Sequence, residues 1–172
     1  MTLRRATTRD ASILASFAST AFWDTYRAID NPDDIADYVT EHFSVEAVAA
    51  VIADPSSVTL LACAPGLAGY AVLRNIDAPA CVSGAAPLEL ARLYLARGLI
   101  GRGYGARLMR AIHAEARRLG AQTLWLGVYD RNHRAVRFYE RFGFARVGDR
   151  EFMFGGRACV DPIYVARVRN DA

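Results

Sequence analysis

Residues 101–105 read Gly101-Arg102-Gly103-Tyr104-Gly105, and what flanks them restricts how they can fold. Before them, Leu88-Glu89-Leu90-Ala91-Arg92-Leu93-Tyr94-Leu95 alternates roughly with the period of a strand. After them, Leu108, Ile112, Ala116 and Leu119 recur at helical spacing, and Gly120 offers a C-cap. A strand therefore turns into an amphipathic helix through three glycines. Glycine lets the backbone approach a ligand closely, and a helix start presents unpaired N–H groups at the positive end of its dipole. With Arg97 and Arg102 close in sequence, the segment suits a pyrophosphate.

Two nucleotide chemistries and a plain turn are weighed for it first. A phosphate-binding P-loop needs a lysine after its last glycine, and this chain contains no lysine: all 21 of its basic side chains are arginine. A dinucleotide fingerprint, Gly-x-Gly-x-x-Gly, would end on Ala106, but its strand should open a domain rather than follow about ninety residues of other structure. A glycine-rich turn without a ligand remains open on these residues alone.

The 172 residues suit one domain. Thr2–Ala6 reads as a short strand, Thr8–Ala28 as a helix carrying Ile13, Leu14, Phe17, Ala21 and Phe22, and Asn31-Pro32 as the start of a second. Another helical piece covers Val45–Ala53. Val58–Ala64 and Leu67–Leu73 read as strands joined at Pro65-Gly66, and residues 77–87 as a loop. Beyond the central helix come a strand at Thr123–Val128 and a helix over Asn132–Phe142. Strand pieces follow at Phe144–Val147, around Phe152–Phe154, and at Val160–Val168. The expected class is α/β (α+β), a mixed central sheet of about six to seven strands flanked by about four helices.

The net charge of +3 is too small to argue for nucleic acid, but it is unevenly spread. Residues 1–88 hold five arginines and ten acids, a net of −5, while residues 89–150 hold thirteen arginines and five acids, a net of +8. Residues 151–172 balance. The N-terminus has charges but no apolar core behind them, so no signal peptide is expected. No apolar run is long enough for a membrane span. Cys63, Cys81 and Cys159 have neither metal nor disulfide spacing and are expected to stay reduced in a cytoplasm. His42, His113 and His133 lack ligand spacing and read as surface residues; no metal is expected.

The segment Leu93–Met109 resembles the acetyl-CoA-binding motif of the GNAT superfamily of N-acetyltransferases, Gln/Arg-x-x-Gly-x-Gly/Ala. Ile100-Gly101-Arg102-Gly103-Tyr104-Gly105 occupies it, with Ile100 where the family has Gln or Arg; Arg97 or Arg102 can supply that charge. Val128–Phe144 resembles the other family signature, a strand, then Asn-x-x-Ala, Tyr, and Gly-Phe. Asn132 and Tyr139 lie seven apart, so on a helix they project within about 20° of each other. Judged singly, Tyr139 also suits packing and Asn132 an N-cap.

The resemblance implies a GNAT-type domain with the acceptor side and first strands in 1–88. It puts the acetyl-CoA-binding core in 89–150 and the last strands in 151–172. It implies acetyl transfer from acetyl-CoA to an amine, with Leu93, Tyr94 and Leu95 beside the thioester and the backbone N–H groups near Tyr94 and Leu95 on its oxygen. Asn132 would help hold the pantetheine arm or the helix start. Tyr139 would protonate the leaving thiolate, and Glu89 would be the base, unless it is merely paired with an arginine.

Thr20–Tyr26, Asn31-Pro32-Asp33-Asp34, Leu88–Tyr94, Trp125-Leu126-Gly127-Val128 and Phe152–Gly156 before Asp161 further resemble PaiA-like polyamine acetyltransferases. The tail Arg157-Ala158-Cys159-Val160 departs, without the polar and acidic residues that the resemblance leads one to expect there. The acids Asp24, Asp30, Asp33, Asp34, Asp37 and Glu41 would suit a cationic acceptor, or simply a solvated, dipole-matched surface. The expected partners are a small amine and CoA, with a homodimer as the family's common assembly. A protein or peptide acceptor and a non-catalytic acyl-CoA-binding regulatory module are the alternatives.

Overall fold

In a computed structural model that describes residues 1–169, the turn and cap residues of the sequence mark where elements end. β1 (Thr2–Arg5) leads through a 3₁₀ turn into α1 (Ala11–Tyr26), α2 (Pro32–His42) and α3 (Val45–Ala53). β2 (Ser57–Cys63), β3 (Leu67–Arg74) and β4 (Pro87–Leu95) form a meander, followed by a 3₁₀ turn at Arg97–Leu99 and α4 (Tyr104–Arg118). Then come β5 (Thr123–Gly127), α5 (His133–Arg141), β6 (Ala145–Phe154) and β7 (Arg157–Arg167). Asn31, Ser44 and Asn132 each accept a backbone N–H with the side chain, at 3.0, 3.1 and 3.2 Å, and so start α2, α3 and α5. Gly120, at φ +78°, stops α4 in the left-handed conformation that glycine tolerates best.

The strands form one seven-stranded sheet in the order β1-β2-β3-β4-β5-β7-β6. Every neighbouring pair is antiparallel except β4 and β5, which α4 joins by a crossover. The expected mixed sheet is therefore present, with five α-helices around it. One face packs Leu60, Leu73, Leu88, Leu124 and Leu126 against Leu108, Met109 and Ile112 of α4. The other packs Leu61, Tyr70 and Val72 against Leu14, Ala18, Phe22, Ile35 and Val48 of the first three helices. Each such fully buried side chain stabilises the fold by about 2 kcal/mol. Among the described residues no helix is long and apolar enough to cross a membrane.

Three expectations need correction. The separate strand pieces at 144–147 and 152–154 are one ten-residue strand, because β6 pairs with β7 along its whole length, across polar residues and a register shift at Arg146/Gly148. Ile13 and Leu119 keep helical spacing but are exposed, since each lies at the edge of its helix's packed stripe. His113 is buried rather than at the surface: it shares the inward stripe of α4 with Met109 and Ile112, and its Nδ1 accepts the Arg169 N–H at 3.2 Å.

Candidate active site

Register partners between β4 and β5 stop at Glu89 and Trp125, and beyond them the two parallel strands have no pairing. A cavity of about 720 Å³ occupies the opening. Its walls include Leu90, Leu93 and Tyr139 from one core and Phe22, Tyr38 and Tyr94 from the other, so it connects the two faces of the sheet. The edge of β4 from Leu90 to Leu95 faces it without a strand partner, which leaves backbone N–H groups there free to meet an oxygen.

On the α4 side, Gly101 and Gly103 sit at φ +80° and +82°, and a Cβ at either would meet nothing within 4 Å. The backbone is thus bare where a ligand would approach. Gly103 is the N-cap of α4 and supplies no side-chain cap, so the first amides of that helix stay available to an anion. Gly105 is a glycine for another reason: its Cβ would lie 3.1 Å from the Phe138 ring and 3.4 Å from Leu95. This half can hold a pyrophosphate.

Of the residues singled out by sequence, Leu93, Tyr94, Leu95, Ile100, Gly101 and Gly103 line the cavity, as do Gly105, Asn132 and Tyr139. Arg102, Tyr104 and Glu89 are not among its lining residues. Positive charge comes instead from Arg134 and Arg141 of α5, which sequence reading passed over. Arg97 lies 3.9 Å from Asp24. Tyr139 is 8% exposed, packs edge-on against Phe144 at 5.6 Å, and has its phenol pushed well above the ordinary range by burial. It stays protonated at any working pH.

The other half of the cavity is walled by aromatic rings. Phe22 stacks on Tyr38 with centroids 4.6 Å apart, and Phe154 and Phe152 lie 5.7 and 6.2 Å from Tyr38. Tyr26 lines the cavity as well, and burial pushes its phenol up to about 12.

The carboxylates divide sharply. Glu89 is 1% exposed and both its oxygens are taken: Oε2 accepts from Nε and Nη2 of Arg74 at 2.7 Å, and Oε1 from Nη1 of Arg150 at 3.2 Å. Asp24 faces Arg27 and Arg97, while Asp30 and Asp34 accept from Arg157 at 3.4 and 2.8 Å. Asp33, Asp37 and Glu41 point to solvent. The acidic first half is thus largely neutralised or solvated. Among the described residues only Asp30 and Asp161 bring a carboxylate to the cavity. Asp161 is buried on β7, and burial pushes its carboxyl up, with Asp130 adding to the shift and Arg150 opposing it. A lone acid in the apolar run Val160–Val165 was the signal for it; nothing in the sequence pointed to Arg150.

Residues 19–144 match the acetyltransferase (GNAT) family. An uncharacterized N-acetyltransferase of Mycobacterium tuberculosis is 36% identical over 147 residues, covering 85% of this chain and 90% of that one. The chain belongs to the GNAT family and is an acetyl-CoA-dependent N-acetyltransferase. Its fold is shared with the PaiA N-acetyltransferase of Thermoplasma acidophilum, solved with coenzyme A. That likeness has a TM-score of 0.79 and 23% identity, over 96% of this chain and 98% of that one. YncA of Salmonella typhimurium, solved with acetyl-CoA, matches at TM-score 0.65 and 20% identity over 100% and 96% of the two chains.

Proposed function

We propose that the protein transfers the acetyl group of acetyl-CoA to a primary amine of a small cationic acceptor by direct attack. The observation that carries this reading is the single cavity joining the bare Gly101–Gly103 backbone to the aromatic chamber through the parted strands β4 and β5. Acetyl-CoA would place its pyrophosphate at the start of α4, beside Ile100–Gly105, with Arg134 and Arg141 adding charge. Its pantetheine arm would run along the free edge of β4 past Asn132, bringing the thioester to Leu93, Tyr94 and Leu95. Tyr139 reaches the same space and would give its proton to the departing sulfur. Glu89, already held by two arginines, would act on the amine only through an intervening water or through its hold on Arg150.

The acceptor approaches from the aromatic half. A polyamine-like acceptor is suggested by the resemblance of the first helices and the β6–β7 tail to the PaiA-like branch. The ring-lined chamber supports a small amine, whose alkyl chain the rings can cover, over a folded protein surface. Thiol release from acetyl-CoA should be measured across spermidine, monoamines, amino acids and short peptides. Fast release with small amines supports the reading. A preference for peptides moves it to the peptide-acetylating alternative, and tight CoA binding with no release for any acceptor supports the regulatory module.

A further inference from the structure

Arg150 lies across the strands on the acceptor side of the sheet. It starts on β6 opposite Asp161 of β7, and its guanidinium lies over Gly127 of β5, where a Cβ would come within 2.8 Å of it. It ends on Glu89 of β4 at 3.2 Å, 5.7 Å from the Trp125 ring centroid. Alternation along the strands puts Glu89, Gly127 and Asp161 on one face, since the flanking Leu88, Leu90 and Leu126, and Tyr164 at an odd spacing of three from Asp161, belong to the opposite core.

The two candidate carboxylates at the ends of this line are in opposite conditions. Glu89 is withdrawn from the cavity with both oxygens occupied. Asp161 lines the cavity and, among the described residues, makes no hydrogen bond and no ion pair, although it is buried. Asp30, the other carboxylate of the cavity, is held by Arg157. Resting on the acetyl-transfer reading, we infer that the Asp161 carboxylate receives the acceptor's ammonium and takes its proton, while Glu89 is a positioning residue that holds Arg150 away from it.

The step balances. One proton passes from the ammonium nitrogen to an Asp161 oxygen and on to solvent. The freed lone pair forms the C–N bond at the thioester carbonyl carbon. The C–S bond then breaks, and the second amine proton leaves with the sulfur as thiol, relayed by Tyr139. Burial of Asp161 strengthens it as a base. The charged and titratable groups around it are Arg150 of β6, Asp130 after β5, Tyr26 of α1 and Tyr38 of α2. Arg92 of β4 lines the same chamber.

The test uses the full chain with spermidine and benzylamine as acceptors. In the wild type, kcat/KM should fall as pH drops through the Asp161 value, because only the carboxylate accepts a proton. Asp161→Asn should lower kcat/KM by roughly 100-fold or more, as loss of a general base does, and should remove that acidic limb. Calorimetry should show CoA binding unchanged, which reports a folded variant, but spermidine binding to the CoA-loaded protein weakened at least about tenfold, as for a lost buried charge pair. Glu89→Gln should keep the limb but move it. Gly127→Ala, which pushes the Arg150 guanidinium aside, should move it to higher pH, since Arg150 is the charge that holds the Asp161 value down.

Asp161→Asn with wild-type kcat/KM and limb, or with unchanged spermidine affinity, overturns the inference. So does disappearance of the limb in Glu89→Gln alone, which would return the base to Glu89. A wild type that acetylates no amine, yet binds spermidine in an Asp161-dependent way, sinks the transfer reading and keeps Asp161 as the ammonium site.

Discussion

Glu89 and Trp125 are the last register partners between β4 and β5, and the candidate site opens just beyond them. Below that pair the sheet is closed and apolar. Above it the strands part, and the gap is occupied by the cavity that connects the two faces of the sheet. The same pair anchors Arg150, which hydrogen-bonds to Glu89 and lies against the Trp125 ring.

Tyr139→Phe should lower kcat roughly 10- to 100-fold and leave acetyl-CoA affinity nearly unchanged, because a thiolate is already a fair leaving group and the ring packing survives. Steady-state kinetics with calorimetry checks both halves. A variant with the wild-type rate removes the tyrosine from its role as acid.

Gly103→Val should weaken CoA binding at least about tenfold, since it adds a β-branched side chain at φ +82° in the open cradle, where left-handed backbone costs about 1–2 kcal/mol. Gly105→Val should act differently. Its Cβ would lie 3.1 Å from Phe138, so overpacking should lower stability by about 1–3 kcal/mol, read as a drop in Tm. Unchanged affinity for Gly103→Val would end the pyrophosphate-loop reading.

Arg157→Ala should raise the acceptor KM several-fold without changing that for acetyl-CoA. Arg157 fastens the β6–β7 hairpin, which carries Phe152 and Phe154, to Asp30 and Asp34 beside α1 and α2. Gly155 packs so closely on Asp34 that a Cβ there would overlap the carboxylate. The ion pairs are exposed on the arginine side and contribute only about 0–1 kcal/mol, so Tm should move by less than about 4 °C. An unchanged acceptor KM would show that the clasp does not shape the chamber.

Asp161→Asn should raise Tm at pH 7, by roughly 1–3 °C. The carboxyl is pushed up in the fold, so the folded state favours the protonated form, and stability is lost as pH rises through the folded value. Asparagine mimics the protonated form. The gap between variant and wild type should therefore close below about pH 4, the ordinary aspartate range. Equal melting curves at both pH values would mean that Asp161 is not desolvated.

Much of the fold was legible because its signals are local. Asn31, Ser44 and Asn132 cap the helices they precede, and Gly120 stops α4, because capping depends only on neighbours along the chain. The division of β6 into two pieces failed for the opposite reason: Gly148, Asp149 and Arg150 have no strand pattern of their own and are held extended by β7. His113 was misread because helical spacing places it on the inward stripe only once the neighbouring strands are in place.

The candidate site divides in the same way. By itself the sequence determined the glycine turn before α4 and the Asn132–Tyr139 pair on α5, since positive φ, helix starts and a seven-residue spacing are short-range properties. Tertiary structure alone decided which acids meet the cavity. Glu89, three residues from cavity-lining Arg92 on the same strand, is closed off by Arg74 and Arg150, and Asp30 and Asp34 by Arg157, whereas Asp161 is buried and, among the described residues, has no ion-pair partner. The partner of a buried charge is set by the register of strands far apart in sequence, and an arginine reaching from β6 to β4 leaves no trace in any local pattern.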